Sequence, residues 1–477
     1  MSELASPLAE RRLAAGYTQE RLAEELGVDR GTVGRWERGV QIPQPWQRPA
    51  LASALHVSLL ELDEILTPGT ASTSPNVGGV TGTPELLPGR ESLAALAERR
   101  SAAAAWSQQE WLRVRQAPGV RGRELSELAA WLYPRSQRAP GGHVLTGPGW
   151  LLREPVDLDA IRLEWSNAQH PVAPPGPLEH VLPLTDRGER YVSYSRAVRD
   201  LVRPRLLENR PSYQLVDLDT DPGLTLKFAP TTFFEVFDVK QALAHEFKAA
   251  WLASCRAVPD WDALPLRRAI GDPFDPRRLL MSPGISTLTI RRSSCGDHRF
   301  VLHERDGDKV ADGGGLCHVM PAGEFQPSSV DPAVLRHDFS LWHNIMREFS
   351  EEFLGNPEHD GAGPGQLIDY RRAEPFRSFQ QARADGALRL WYYGLVIEPL
   401  ELGVVQLTVA VIDDVVFDRL FADMVETNDE GRVVGRGGRR DLPFLGDAIE
   451  RLEPRLSASA LTLLHLVWCD RELLLHS

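Results

Sequence analysis

At 477 residues the chain is too long for one hydrophobic core, so a small number of domains is expected. A net charge of −13 argues against a general nucleic-acid coat protein, and four scattered cysteines without a C-x-x-C pair argue against a disulfide frame or a zinc site. The chain shows neither an apolar signal segment nor an apolar run of membrane-spanning length, so the expectation is a cytoplasmic protein with no membrane association. Lysine is confined to Lys227, Lys240, Lys248 and Lys309 while Arg, Ala, Gly and Pro abound, the usage of a GC-rich genome such as those of actinobacteria.

Residues 11–39, RRLAAGYTQERLAEELGVDRGTVGRWERG, read as two short amphipathic helices joined by a tight turn. Thr18 is placed to cap the first, whose apolar positions are Leu22, Ala23 and Leu26. Gly27 ends it where a positive φ is needed, and Asp29 caps the second helix, with Val33 and Trp36 facing inward. Gly39 closes that helix, and Pro43 and Pro45 prevent its continuation. Two further helices are expected over 46–55 and 58–66. The outward face of the second helix carries Arg30, Gly31, Thr32, Gly34 and Arg35, a set suited to base edges in a major groove. A helical hairpin with merely charged outer faces is the alternative reading.

This pattern resembles the helix-turn-helix of the XRE (Cro/lambda-repressor-like) family. The resemblance implies base contacts at Arg30 and Arg35 with Thr32 nearby, phosphate contacts at Gln19 and Arg38, and a structural role for Glu37. Residues 1–66 hold 7 Arg against 10 acidic residues, but residues 11–48 hold 7 against 5, so the positive charge is local. Binding should then rest on a few phosphate contacts and weaken with salt.

Residues 67–90 are rich in Gly, Pro, Ser and Thr, the composition of a flexible linker. Helices are expected within 91–133, around Leu93, Leu96 and Ala97 and then Leu125, Leu128, Ala129 and Leu132. Arg113, Arg115, Arg121 and Arg123 form a basic stripe there, read as a solvated face before a DNA-assisting one. Trp106, Trp111 and Trp131 read as core or dimer contacts. The stretch 147–221 is Pro-rich and mixed, with a helix expected at 192–207, and a further helix is expected beyond it at 231–254. His245 beside Glu246 lacks a HExxH partner, because Ala249 stands four residues on, and reads as a surface pair.

After Pro276 strands are expected at 288–292, 300–305, 316–320, 388–397 and 404–412, with helices at 414–425 and 457–469. Within 339–355, FSLWHNIMREFSEEFLG, Leu341, Ile345, Phe349 and Phe353 form one apolar stripe. Glu348, Glu351 and Glu352 gather on another side and need a neutralising cation or arginine. Arg347 is placed to pair with Glu351. This R-E-x-x-E-E core, following the loop Met320, Pro321, Ala322, Gly323 and Glu324, resembles the Nudix box. The resemblance implies Mg²⁺ bound by Glu348, Glu351 and Glu352, with Gly323 as the loop glycine. A longer insertion separates Gly323 from Arg347 than the family pattern has, and Ser329 stands where that pattern has Glu. His318 and Cys317 are candidate pocket or core residues.

The expected fold class is therefore multidomain: an all-α five-helix helix-turn-helix domain over 1–66, a flexible linker over 67–90, a mostly helical middle region over 91–275 and an α/β (α+β) Nudix-like domain over 276–477. The expected function is a homodimeric transcriptional regulator, nucleoid-associated when it holds a double-stranded operator. Its Nudix-like domain would sense a nucleotide-like effector or mediate assembly. The alternative is a Mg²⁺-dependent Nudix-type hydrolase of nucleoside-diphosphate-linked compounds fused to a DNA-binding module. A small antitoxin-like DNA binder is disfavoured by the chain's length.

Overall fold

The computed structural model describes residues 6–15, 17–26, 28, 30–38, 43, 48–55, 57, 62, 65–66, 93–116, 122–167, 178–204, 207–221, 223–305, 315–357, 367–427, 431–435 and 439–476. Gly27, Asp29, Gly39, Pro45, Arg121 and the segment 67–90 lie outside them. The chain divides into two compact units, Met1–Arg90 and Glu91–Ser477.

The first unit contains α1 (Pro7–Ala14), α2 (Gln19–Leu26), α3 (Arg30–Glu37) and α4 (Arg48–Ala54). Of the fifth expected helix, Leu62, Ile65 and Leu66 are described, and they are helical. Ser6 caps α1 by accepting from the Ala9 amide at 3.3 Å, and Pro7 follows at a position that needs no donor. Thr18 Oγ1 accepts from the Arg21 amide at 3.1 Å, the cap expected for α2. The apolar positions converge as their spacing requires: Leu8, Leu22, Ala23, Val33, Trp36, Leu51, Leu55 and Leu62 make one buried cluster.

The second unit begins with α5 (Leu93–Gln116) and α6 (Gly122–Ala130), followed by β1 (Leu151–Asp157), β2 (Arg162–Trp165), α7 (Tyr194–Leu201), β3 (Pro211–Asp219) and β4 (Thr225–Thr232). Then come α8 (Phe233–Ala253), α9 (Pro265–Ile270), β5 (Gly284–Arg292), β6 (Arg299–Phe300), β7 (Leu302–Arg305), β8 (Cys317–Val319) and β9 (Ala322–Gly323). The remainder includes α10 (Leu341–Glu348), α11 (Phe376–Ala384), β10 (Leu388–Glu398), β11 (Gly403–Asp413), α12 (Asp414–Leu420), β12 (Gly431–Val433), β13 (Leu442–Pro443), α13 (Gly446–Leu452) and α14 (Ala458–Cys469), besides the short helices Val334–His337 and Arg471–His476. The stretch 91–275 thus holds four strands besides its helices, more strand than the sequence led us to expect.

The main sheet has the order β1-β10-β11-β5-β6-β13, with β9 also pairing to β5. β11 and β5 run parallel and the other pairs antiparallel. Because β1 comes from the middle of the chain, the sheet joins segments on both sides of residue 276. A second sheet has the order β12-β7-β8 and a third β2-β4-β3.

Alternation along the strands sends Leu407, Val409 and Val411 of β11 to a layer built by Leu461, Leu464 and Val467 of α14. Val404, Ala410 and Ile412 face the opposite layer, built by Ile345, Phe349 and Phe353 with Phe376, Phe379, Phe417 and Phe421. On β10 the parity changes midway. Leu388, Leu390 and Tyr392 join the second layer, and after the register shift Leu395 and Ile397 do. A bulge between Tyr392 and Gly394 inserts the extra residue, Tyr393. Gly394 has φ of +125°, and a Cβ there would lie 2.1 Å from the Trp150 carbonyl, so only glycine fits.

Candidate functional site

The first unit is held at a buried carboxylate. Arg12 Nε donates to Glu37 Oε1 at 2.5 Å, and Gln19 Nε2 donates to Glu37 Oε2 at 2.5 Å. Arg12 Nη1 also donates to the Tyr17 carbonyl at 2.7 Å. One side chain at the end of α3 therefore fixes α1 and the start of α2 against it, the structural role expected of Glu37.

On α3, Gly31 and Arg38 are exposed while Thr32 and Arg35 are half-buried. Arg35 Nη2 donates to Thr32 Oγ1 at 2.6 Å, so two residues expected to face bases are joined and share one side of the helix. Arg30 is the first residue of α3, and its side chain lies outside the described residues. Gly34 departs from the expected outward position: it is buried. A Cβ there would lie 3.2 Å from Arg38 Nη1 and 3.9 Å from Gln19 Nε2, so Gly34 lies close to the start of α2.

In the second unit, the apolar stripe of α10 is buried as its periodicity demands: Leu341, Ile345, Phe349 and Phe353 are all in the core. The helix does not stay α-helical. From Phe349 to Phe353 it widens into a π-helical turn, which changes the angular spacing on which the carboxylate grouping relied. Glu352 is buried, and its Oε1 accepts from the Ala322 amide at 3.1 Å. The Glu348 carboxylate lies against Gly323, where a Cβ would come 2.2 Å from Oε1. Glu348 and Glu351 line a cleft with Arg210, Gln326, Pro327, Ser328 and Arg347.

Arg347 turns into the core. Its Nη1 donates to Tyr370 Oη at 2.6 Å and lies 3.5 Å from Asp338 Oδ2. Its Nη2 donates to the Gln326 carbonyl at 2.5 Å and to Asn344 Oδ1 at 2.9 Å. Asp338 is fully buried and accepts from the Ser328 amide at 2.7 Å and from Tyr370 Oη at 2.9 Å. Burial pushes the Tyr370 hydroxyl up, so it stays a neutral donor. Asn344, Asp338 and Tyr370 carried no motif; the one sequence signal was a polar Asn344 inside an otherwise apolar helix face.

These residues do not fit the Mg²⁺ that the Nudix resemblance implies. The cleft has a volume of about 20 Å³, room for about one water, whereas Mg²⁺ keeps several waters in an octahedral shell. Among the described residues no group of three or more His, Cys, Asp or Glu could hold a metal ion.

Other expected features resolve into structure. His245 and Glu246 are buried, not a surface pair, because α8 has core neighbours on several sides. Glu246 accepts from the Leu266 and Arg267 amides at 2.6 and 3.0 Å, capping α9, and meets His180 Nε2 at 2.9 Å. His245 Nδ1 bonds Tyr194 Oη at 3.1 Å, and burial, with Lys248 and Arg115 nearby, brings its pKa down to about 3. In the basic stripe, Arg115 donates to Gln241 Oε1 and Arg123 pairs with Glu127, while Arg113 is exposed beside Glu110. Trp111 is core, and Trp106 and Trp131 are exposed. Cys317 is buried in the core as the first residue of β8, a strand of the second sheet.

The first three helices share one core, with Thr32 and Arg35 joined on one side of the third, a helix-turn-helix arrangement. The helix-turn-helix family matches residues 8–62, and this region is an XRE-type domain that supports a DNA-binding regulator. No curated protein matches the chain. No helix among the described residues is long and apolar enough to cross a membrane.

Proposed function

We propose that this chain is a sequence-specific transcriptional regulator that reads a double-stranded operator as a homodimer. The observation that carries this is the helix-turn-helix match over 8–62 together with the polar side of α3. In this reading Arg30, Thr32 and Arg35 meet base edges in the major groove, while Arg38 and Gln19 meet phosphates, Gln19 being held in place by Glu37. Dimerisation follows from the habit of such modules of reading paired half-sites. Recovery of bound genomic DNA, followed by mobility-shift titration at fixed salt, tests it. A full-length protein that selects no sequence over bulk DNA would refute it.

Residues 276–477, with β1 completing their sheet, are read as the Nudix-like α/β part of the second unit. What supports this is the parallel pairing of β5 with β11, the helical layers on both faces of the sheet, and Gly323 tucked against Glu348 ahead of the glutamate helix. Its role here is to sense a nucleotide-like effector. A cavity of about 480 Å³ beside α10 has the volume for a small ligand, and its wall includes His337, His343 and Tyr370. His343 and Tyr370 are stacked on one another with ring centroids 3.9 Å apart, so the wall of this cavity is aromatic in part. Thermal stabilisation by a nucleotide without phosphate release distinguishes the sensor from the Nudix-type hydrolase. Metal-dependent turnover lost in Glu351→Gln would favour the hydrolase.

A further inference from the structure

Glu348 and Glu351 face one cleft, and carboxylates held together in a partly buried site need positive charge beside them. Two guanidiniums line that cleft. Arg347 has an acid of its own, Asp338, which is fully buried at 3.5 Å. Arg210 is the other, and it comes from a part of the chain that no motif connects to α10. We propose that the Arg210 guanidinium is the resident cation of this cleft, standing where the resemblance implies a divalent metal, so that the unit works without one.

The backbone holds Arg210 for this task. Its carbonyl accepts from the Phe233 amide at 2.8 Å, and neighbouring Asn209 Oδ1 accepts from the Phe234 amide at 2.9 Å. Pro211 then begins β3, paired with Thr232. The residue is thus fixed between the first residue of a strand and the N-terminus of α8. Its side chain is about a quarter exposed, and Nε also reaches the exposed Glu208 at 3.3 Å, so water can reach the guanidinium from one side. With that group in place, the remaining 20 Å³ admits about one water, too little for a hydrated divalent ion. A charge that is covalently part of the chain cannot be removed by chelators.

This inference rests on the Nudix-like reading of 276–477 and is independent of DNA recognition by α3. The test is Mn²⁺ titration of the full-length protein, followed by the electron paramagnetic resonance of free Mn²⁺, for wild type, Arg210→Ala and Arg210→Ala with Glu348→Gln. Wild type is expected to leave Mn²⁺ free and to melt identically in EDTA and Mg²⁺. Arg210→Ala is expected to bind Mn²⁺ about tenfold more tightly than wild type or better, and the double variant to lose that gain. Arg210→Lys keeps the charge and should remain metal-free. Stoichiometric Mn²⁺ binding by wild type that disappears in Glu348→Gln would overturn the proposal, as would an Arg210→Ala protein that gains no affinity. If Arg210→Ala fails to fold, the wild-type titration and Arg210→Gln decide. Operator binding measured on the same preparations separates this failure from failure of the regulator reading.

Discussion

Glu37→Ala should loosen the DNA-reading unit without touching any residue on the outer side of α3. The Arg12–Glu37 pair is short, and both side chains are under a tenth exposed. Removing the carboxylate leaves a mostly buried guanidinium still donating to the Tyr17 carbonyl, and it takes from Gln19 the oxygen that holds α2 to α3. Breaking a buried pair by deleting one partner costs about 3–5 kcal/mol, and the lower end applies because Arg12 can swing partly into water. A unit of this size has a stability of only about 3–9 kcal/mol, so the loss is a large fraction of the total. Hydrogen exchange of the full-length protein, followed on peptides from α1 to α3, reads this locally and is not masked by the larger unit. About 3 kcal/mol corresponds to roughly 100-fold faster exchange in α2 and α3. Glu37→Gln keeps one acceptor and should fall between wild type and Glu37→Ala. Exchange within about threefold of wild type would refute the claim that Glu37 fixes the three helices.

Two further outcomes follow from the larger unit. Gly323→Ala should cost no more than about 1 kcal/mol in denaturant melts, because the atoms the new Cβ would meet are the far end of the flexible Glu348 side chain, which can swing aside; a loss of about 3 kcal/mol or more would contradict that freedom. His245 has a folded pKa of about 3, below its ordinary value, so the folded state disfavours the proton that the unfolded chain accepts. Its contribution is complete above pH of about 6.5 and is lost as pH falls towards about 3, with a slope near 1.4 kcal/mol per pH unit. His245→Gln should therefore show a shallower acid loss of stability than wild type, and parallel pH profiles would contradict the burial argument.

The parts of the fold legible in the sequence are those where one periodicity dominates. The stripe Leu341, Ile345, Phe349 and Phe353 announced a helix with a buried face, and the β-branched runs around 388–397 and 404–412 announced the central strands. β1 was missed because it is an edge strand whose run of apolar residues is interrupted by Arg153, Glu154 and Pro155, which an edge tolerates and a central strand does not. His245 and Glu246 looked like surface residues because polarity suggests exposure, yet α8 has buried residues at most of its positions from Val236 to Phe247 and satisfies the two by Tyr194 and the α9 amides. At the site, Glu37 was legible through its place in a local motif. Arg210 was not, since it reaches the α10 cleft only through tertiary folding and no local spacing links it to Glu348. The carboxylate grouping on α10 was read at α-helical spacing, and the π-helical turn altered it.

The central claim is that α3 reads DNA, and Arg35→Ala tests it most directly. On a DNA fragment selected by the full-length protein, fluorescence anisotropy at fixed salt should show a loss of about 1–3 kcal/mol, roughly 5- to 150-fold in Kd. Hydrogen exchange in α2 and α3 should stay at the wild-type level, because Arg35 is half-buried on the polar side of the helix, where its Nη2 bonds a half-buried threonine one turn back. Unchanged affinity for the selected fragment, with the unit folded, would contradict the account.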